Sequence, residues 1–289
     1  MPMNLIRGTY RIVGASPDGD SVRFYPDDPH AFAAAGIVVK ANRSGGVQLR
    51  LDAIDALETH YTPPHAPTAW HQPAALGGGA ATALLDILGF TQVSRNEAGI
   101  VTSATPAQTP GYILTSFADV YGRAVALAYP GEPDTGQADG SVYVTVARLR
   151  RSANYRLLAD GWVYPTFYSK LYVDLRGALA DAARAARQAG AGVWAKDDTL
   201  SGFEISSRAD LTDTLVILPK LFRRLAEYLT LDETGGTDLG AFPAFLAAQN
   251  DRLFTVPEGQ ATSFDTLVTL DGQKLTLTKA PEEIVFIEK

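Results

Sequence analysis

The chain has 289 residues, 46% of them hydrophobic and 20% charged, and a formal net charge of −7. This composition is typical of one large or two modest globular domains, and the lack of cysteine excludes disulfides, thiolate metal sites and a cysteine nucleophile. Residues 1–203 carry 17 basic and 18 acidic side chains, whereas residues 204–289 carry 8 and 14. Because the N-terminal part is nearly neutral, we do not expect it to bind DNA both tightly and non-specifically.

The first predicted elements form a β-hairpin. Residues 8–15 and 20–26 are rich in β-branched and aromatic side chains, and Asp18-Gly19-Asp20 lies in the turn between them. A long connection leads to a third strand from Val47 to Ile54. Its apolar residues alternate with polar ones, so Arg50 faces away from the apolar side.

A proline-rich segment follows at residues 59–78 and contains His60, His65 and His71. Three histidines invite a zinc hypothesis, but no cysteine or carboxylate cluster is nearby and the prolines indicate an extended loop. We interpret the segment as a lid or an edge over a substrate groove. A helix is predicted next, from about residue 79 to 88.

Periodicity and turn residues predict the remaining elements. A loop-containing insertion spans residues 97–110. In the N-terminal part we predict strands at 112–114 and 124–129, a helix that ends at Gly161 and another at 170–189. In the C-terminal part we predict helices at 211–231 and 240–249 and strands at 251–255, 265–270, 273–278 and 283–287, with a hairpin turn at Asp271-Gly272.

Acidic side chains lie in the Asp18-Gly19-Asp20 turn and again at Asp55 and Glu58, and Arg50 precedes Asp55 by five residues. An Asp-Gly-Asp sequence alone is usually no more than a turn. Carboxylates that come together repel one another unless a cation separates them, and hard oxygen ligands suit Ca²⁺ or Mg²⁺. A metal, an arginine and a spare carboxylate are the minimum for attack on a phosphodiester.

These segments, together with Tyr121-Gly122-Arg123, resemble the staphylococcal nuclease (thermonuclease) family. The family signature is an Asp-Gly-Asp turn, an Arg-Leu-x-x-Ile/Val-Asp-x-x-Glu strand end and a Tyr-Gly-Arg before the last barrel strand. Residues 154–161 resemble the family's Asn-x-x-Leu-x-x-x-Gly helix, and residues 179–194 resemble its final helix, which ends on a tryptophan. The resemblance covers roughly residues 8 to 198.

The fold that the resemblance implies is an α+β fold, built on a five-stranded, antiparallel OB-type β-barrel capped by helices. Residues 1–203 would form this nuclease-like domain. Residues 204–289 would form an accessory α+β region of unknown role that supplies no metal ligand.

The resemblance also implies a role for each matching residue in the hydrolysis of DNA or RNA to 3′-phosphate products. The metal would be Ca²⁺, with Mg²⁺ or Mn²⁺ possible, and the family's proline before the glutamate is Leu57 here. The implied ligands are Asp20, Asp55 and the backbone carbonyl of Ala56; Glu58 would be the general base, Arg50 and Arg123 the phosphate clamp, and Tyr121 a contact to the terminal phosphate.

An alternative is a non-catalytic module that binds nucleic acid or protein on the same barrel, as OB barrels often do. Family members that lose catalysis tend to lose the carboxylates and arginines, which this chain keeps. If it is a nuclease, the side chains of these residues should line one pocket, within roughly 10 Å of a common point. No signal peptide or membrane span is recognisable, so we expect a cytoplasmic protein with no membrane partner, and the sequence points to no protein partner.

Overall fold

The computed structural model describes residues 1–134, 139–232 and 234–288. The chain divides into two compact units. The first consists of Met1–Ile54 and Ala80–Leu157, and the second of Asp55–Gly79 and Leu158–Lys289. The predicted domain boundary after residue 203 is not a boundary of these units and stays a prediction.

Strands and helices both occur in each of the two units. The strands are β1 (Pro2–Tyr10), β2 (Ser21–Pro26), β3 (Val47–Leu51), β4 (Ile54–Asp55), β5 (Gln92–Arg95), β6 (Val101–Thr105), β7 (Thr109–Ala118), β8 (Ala124–Pro130), β9 (Gly140–Tyr143), β10 (Tyr164–Pro165), β11 (Phe167–Tyr168), β12 (Arg252–Thr255), β13 (Ala261–Ser263), β14 (Val268–Asp271), β15 (Lys274–Leu277) and β16 (Ile284–Phe286). The helices are α1 (Ala31–Ala34), α2 (Ala74–Ile87), α3 (Val146–Leu149), α4 (Ala153–Ala159), α5 (Val173–Gln188), α6 (Pro219–Leu229) and α7 (Phe242–Gln249). In the described ranges, no helix has both the length and the hydrophobicity needed to cross a bilayer.

Five strands of the first unit close into a barrel in the order β1-β2-β3-β8-β7-β1. The α+β class and the five-stranded barrel are therefore confirmed, with additional sheets and helices in the C-terminal part. The expectation of a purely antiparallel barrel was wrong, because β3 and β8 run parallel. A parallel pair requires a long crossover, which the chain between residues 52 and 123 provides. Strand β9 extends the sheet beside β1.

Tyr10 fills the barrel interior at the point where β1, β7 and β8 meet. Its buried hydroxyl lies within 3.2 Å of the carbonyl oxygens of Tyr112 and Tyr129 and accepts a hydrogen bond from the Tyr129 amide. Burial raises the pKa of the Tyr10 phenol. Gly111 makes room for the ring, because a Cβ there would lie 2.3 Å from it. A glycine is thus needed at this position for the barrel to close around Tyr10.

Several element boundaries in the first unit differ from those predicted. The third strand ends at Leu51, because Ala53 has a φ of 67°, a left-handed conformation that a strand cannot continue through. Residues 92–105 contain the hairpin β5–β6, which was partly assigned to a loop. The predicted helix that ends at Gly161 is instead two short helices, α3 and α4, after strand β9.

The second unit is built around helix α6. Pro219 begins this helix, so the helix predicted from residue 211 starts later, and Asp210–Thr214 forms a separate π-helical turn. The apolar face of α6 is buried and consists of Leu221, Phe222, Leu225, Ala226 and Leu229. Strands β14 and β15 form the hairpin predicted at Asp271-Gly272, where Gly272 has a φ of 62°.

Candidate active site

The residues assigned to the site belong to both units. Asp20, Arg50, Tyr121 and Arg123 lie in the first unit, whereas Asp55, Ala56 and Glu58 lie in the second. That all seven line a single pocket stays a prediction.

Arg50 lies on the outer side of barrel strand β3. In that strand Leu49 and Leu51 are fully buried, whereas Arg50 is half-buried. Its register partners are Ser21 on β2 and Val125 on β8, and Val125 comes two residues after Arg123. Arg50 thus lies near the carboxyl end of β3 and Arg123 just before the amino end of β8, and the register places the two positions two residues apart along the strand pair.

Asp119 organises the loop that carries Arg123, a role that the sequence did not reveal. Its Oδ1 accepts from the backbone amides of Tyr121 at 3.0 Å and Arg123 at 2.9 Å, and its Oδ2 accepts from Arg123 Nε at 2.7 Å. The Tyr121 ring is 74% exposed, and the Arg123 guanidinium lies 5.7 Å from its centroid. Gly122 has a φ of 80°, and a Cβ there would lie 2.8 Å from the Cβ of Lys40. The Tyr-Gly-Arg sequence thus needs its glycine.

Asp20 is buried at the start of β2 and is joined to β3 through the backbone. Its carbonyl oxygen accepts from the Leu51 amide at 2.8 Å, one residue beyond Arg50. In the neighbouring turn, the buried Oδ1 of Asp18 has no hydrogen-bond partner among the described residues.

In the second unit, Arg223 of helix α6 contacts both assigned carboxylates. Its Nη2 donates to Asp55 Oδ2 at 2.6 Å and its Nη1 to Asp55 Oδ1 at 3.3 Å, and Nη1 also donates to Glu58 Oε1. We call this arrangement of Arg223, Asp55 and Glu58 the Arg223 bridge. Burial opposes the charge of Arg223, but the two carboxylates outweigh burial and raise the pKa of its guanidinium well above the usual value. Asp55 is itself 1% exposed, so the pair is an interior one.

Gln72 fixes the backbone around Glu58. The side-chain Oε1 of Gln72 accepts from the backbone amide of Glu58 at 3.2 Å, and the backbone amide of Gln72 donates to the Glu58 carbonyl at 2.8 Å. The side-chain Nε2 donates to the carbonyl of Ile217 at 2.8 Å. The neighbouring Ala56 is buried. Thus the segment from Asp55 to Glu58 is held both by side chains and by the backbone, although the family's proline is absent.

Helix α6 carries a second group of buried charges beside Arg223. Arg224 donates to Asp251 at 2.6 and 2.7 Å and contacts Glu227 at 2.5 Å, and Lys220 Nζ lies 3.3 Å from Asp251 Oδ1. Glu227 also accepts from the Tyr61 hydroxyl at 2.6 Å. These contacts fix the polar face of α6. In the sequence this face is only a run of charges between apolar residues, so nothing singled out Arg223.

The three histidines of the predicted lid point to different neighbours. His60 Nδ1 lies 2.7 Å from the Thr59 hydroxyl, and His71 Nε2 lies 3.9 Å from Asp213. His65 lines an open cavity of about 390 Å³ together with Trp70 and Arg208, whose guanidinium lies 4.3 Å from the Trp70 ring centroid. The role of this segment as a lid stays a prediction.

The donor set of the second unit does not match the calcium ion that the resemblance implies. Asp55 and Glu58 offer carboxylate oxygens, which is the right chemistry, but Arg223 occupies both carboxylates as their cation. Among the described residues, no group of three or more Asp, Glu, His or Cys side chains is arranged to hold a metal ion. As arranged, the Asp55–Glu58 pair fits a guanidinium and not a divalent cation.

Comparison with known proteins adds no assignment to this geometry. A scan against protein-family models found no match to the sequence, and a search of curated proteins found none either.

Proposed function

We propose that this protein is a phosphodiesterase of the staphylococcal nuclease type that acts on DNA or RNA. The observation that carries the proposal is the closeness of the Arg50 and Arg123 positions on neighbouring strands, because β3 and β8 pair in parallel with Arg50 opposite Val125, two residues after Arg123. Two guanidinium groups on one rigid barrel wall can contact different oxygens of one phosphate, and they would stabilise the charge that develops there during displacement. Asp119 holds Arg123 through Nε, so its two Nη groups are the proposed donors to the phosphate.

Glu58 is the proposed general base. It would take a proton from the water that attacks phosphorus. The bond between phosphorus and the 5′ oxygen would break, the 5′ oxygen would take up a proton from solvent and leave as a hydroxyl, and the phosphate would stay on the 3′ oxygen. Glu58 Oε1 accepts instead from Arg223, so catalysis requires this contact to open. Ca²⁺, or Mg²⁺ or Mn²⁺, remains the proposed cation for Asp20 and Asp55. No step is assigned to the cation, because Arg223 already occupies both carboxylate oxygens of Asp55. A cytoplasmic location is part of the proposal.

A second candidate function is a non-catalytic module that binds nucleic acid, and the Arg223 bridge specifically favours it. In this case Arg50 and Arg123 would contact phosphates, and Asp55 and Glu58 would only secure helix α6. The near-neutral charge of residues 1–203 favours selective over general binding in both cases.

Digestion and binding assays on the full chain separate the two candidates. Labelled single-stranded DNA, duplex DNA and RNA would be incubated with Ca²⁺, Mg²⁺ or Mn²⁺ and, in parallel, with a chelator. Metal-dependent cleavage that leaves 3′-phosphate ends supports the phosphodiesterase. Binding without cleavage under every metal supports the module. If the protein neither binds nor cleaves nucleic acid, both candidates are rejected.

A further inference from the structure

We infer that Arg223 is a built-in counter-cation that competes with divalent metal ions for Asp55 and Glu58, so that it weakens metal binding at this part of the site. The inference concerns regulation and rests on the proposed function, but metal binding can be tested without it. It starts from the geometry of the Arg223 bridge, in which one guanidinium contacts three carboxylate oxygens.

The contacts use the same oxygens that a metal would need. Both oxygens of Asp55 and Oε1 of Glu58 accept from the two Nη groups of Arg223. The planar fork of a guanidinium matches a carboxylate with two parallel hydrogen bonds, which a hydrated metal ion would have to displace. The two cations therefore exclude each other, because a metal at these oxygens would lie against a positive charge.

The surroundings of Arg223 make this arrangement persistent. Helix α6 is anchored by its buried apolar face and by the contacts of Arg224 with Asp251 and Glu227. The Arg223 side chain is 22% exposed and the Glu58 side chain 19% exposed, so solvent and ions can reach the bridge. A metal can thus compete by moving one side chain while the helix stays in place.

The charges explain why a counter-cation is needed in this position. Asp55 is almost fully buried, and a buried carboxylate without a cation or hydrogen bonds is strongly unfavourable. In the family that the sequence resembles, a metal would fill that need. In this protein a residue of the C-terminal part fills it, which assigns a role to a region whose role the sequence left unknown.

The test compares metal binding by wild type and Arg223→Met, using titration calorimetry with CaCl₂ and electron paramagnetic resonance with Mn²⁺. Methionine keeps the length and apolar stem of the side chain but removes the charge. We expect the variant to bind Ca²⁺ and Mn²⁺ about tenfold more tightly or better than wild type, because an adjacent positive charge is gone. Equal affinities in wild type and variant would overturn the inference.

Arg187→Met is the matched control. Arg187 also makes two hydrogen bonds to a buried carboxylate, at 2.6 and 3.1 Å from Glu282, and its side chain is 27% exposed. Its removal leaves one carboxylate instead of two, so metal affinity should not rise. A gain in metal affinity equal to that of Arg223→Met would mean that any buried carboxylate binds metal once its arginine partner is removed. This result would also overturn the inference.

Arg223→Lys carries the test if Arg223→Met does not fold, which circular dichroism would show. Lysine keeps the charge but cannot bridge both carboxylates as a planar fork. We expect its metal affinity to lie between those of wild type and a neutral variant, and an affinity equal to that of wild type would overturn the inference. If Arg223→Met binds metal tightly but no nucleic acid is cleaved, only the proposed function is rejected. If wild type cleaves nucleic acid but Arg223→Met shows no gain in metal affinity, only the counter-cation role of Arg223 is rejected.

Discussion

Arg223 Nη2 lies 2.6 Å from Asp55 Oδ2, although the two residues are 168 positions apart in the chain. The carboxylate that the sequence suggested as a metal ligand is therefore already neutralised by the protein. Removing one partner of such a buried pair is expected to cost about 3–5 kcal/mol, because the other charge stays behind in the interior. The contact thus links the stability of the second unit to the state of the candidate site.

Replacing Arg50 by lysine tests the phosphate clamp. Lysine keeps the positive charge but lacks the planar two-point contact, so we expect both cleavage and binding of nucleic acid to fall by about tenfold or more. Arg7→Lys is the control, because Arg7 lies on barrel strand β1 and forms an ion pair with Asp139. Equal losses in both variants would show that the effect is not specific to Arg50 and would remove Arg50 from the clamp.

The substitution Glu58→Gln separates catalysis from binding. Glutamine keeps the shape and can still accept a hydrogen bond from Arg223, but it cannot act as a base at neutral pH. We expect the cleavage rate to fall by a factor on the order of 10² to 10⁴, with little change in nucleic-acid affinity. The exposed Glu132, changed to glutamine, serves as the control. Full activity in Glu58→Gln would exclude Glu58 from the mechanism.

Local signals in the sequence predicted much of the fold. The Asp271-Gly272 turn, the hairpin of β1 and β2 and the alternation around Arg50 each depend on neighbouring residues only. Each is found in the structure, although the first strand is Pro2–Tyr10 and not residues 8–15. The parallel pairing of β3 with β8 was missed, because periodicity predicts a strand but not its partner.

Long-range contacts at the candidate site could not be predicted. Glu58 and Arg223 are 165 residues apart, and a single sequence contains no signal that pairs them. The contact of Asp119 with Arg123 is local, since the two residues are four positions apart, and the side chain of an Asp in a turn often accepts from the backbone amides that follow it.

Asn154 is expected to be important for the stability of the barrel. Its side chain is buried, donates to the carbonyls of Asp52 and Ala126 and accepts from the Ala128 amide, at 2.9 to 3.0 Å. Alanine would leave three buried backbone groups without these bonds, so the free energy of unfolding should fall by roughly 2–4 kcal/mol in urea denaturation. Aspartate should be at least as harmful, because a carboxylate would face two carbonyl oxygens.

The control for Asn154 is Asn42→Ala. Asn42 Oδ1 also accepts from several groups, but it does so in an exposed turn where water can replace the side chain. We expect a loss of less than about 1 kcal/mol. If both asparagines cost the same, burial would not explain the importance of Asn154.

Lys220 makes the stability of the second unit depend on pH. Burial lowers the pKa of its ammonium group from 10.5 to about 8, while Asp251 acts in the opposite direction. The folded state thus binds this proton less readily than the unfolded state between pH 8 and 10.5, so the free energy of unfolding should rise with pH in this range. The full contribution is on the order of 3 kcal/mol, and it is measured as the difference between wild type and Lys220→Met. Asp251 keeps its contact with Arg224 in the variant, and the titration of buried tyrosines cancels in the difference.

Lys279→Met is the control for Lys220→Met. The exposed Lys279 pairs with Glu258, which raises the pKa of Lys279, so this pair should give no such rise in the free energy of unfolding. A difference between wild type and Lys220→Met that stays constant from pH 7.5 to 10.5 would show that Lys220 has an ordinary pKa in the folded protein.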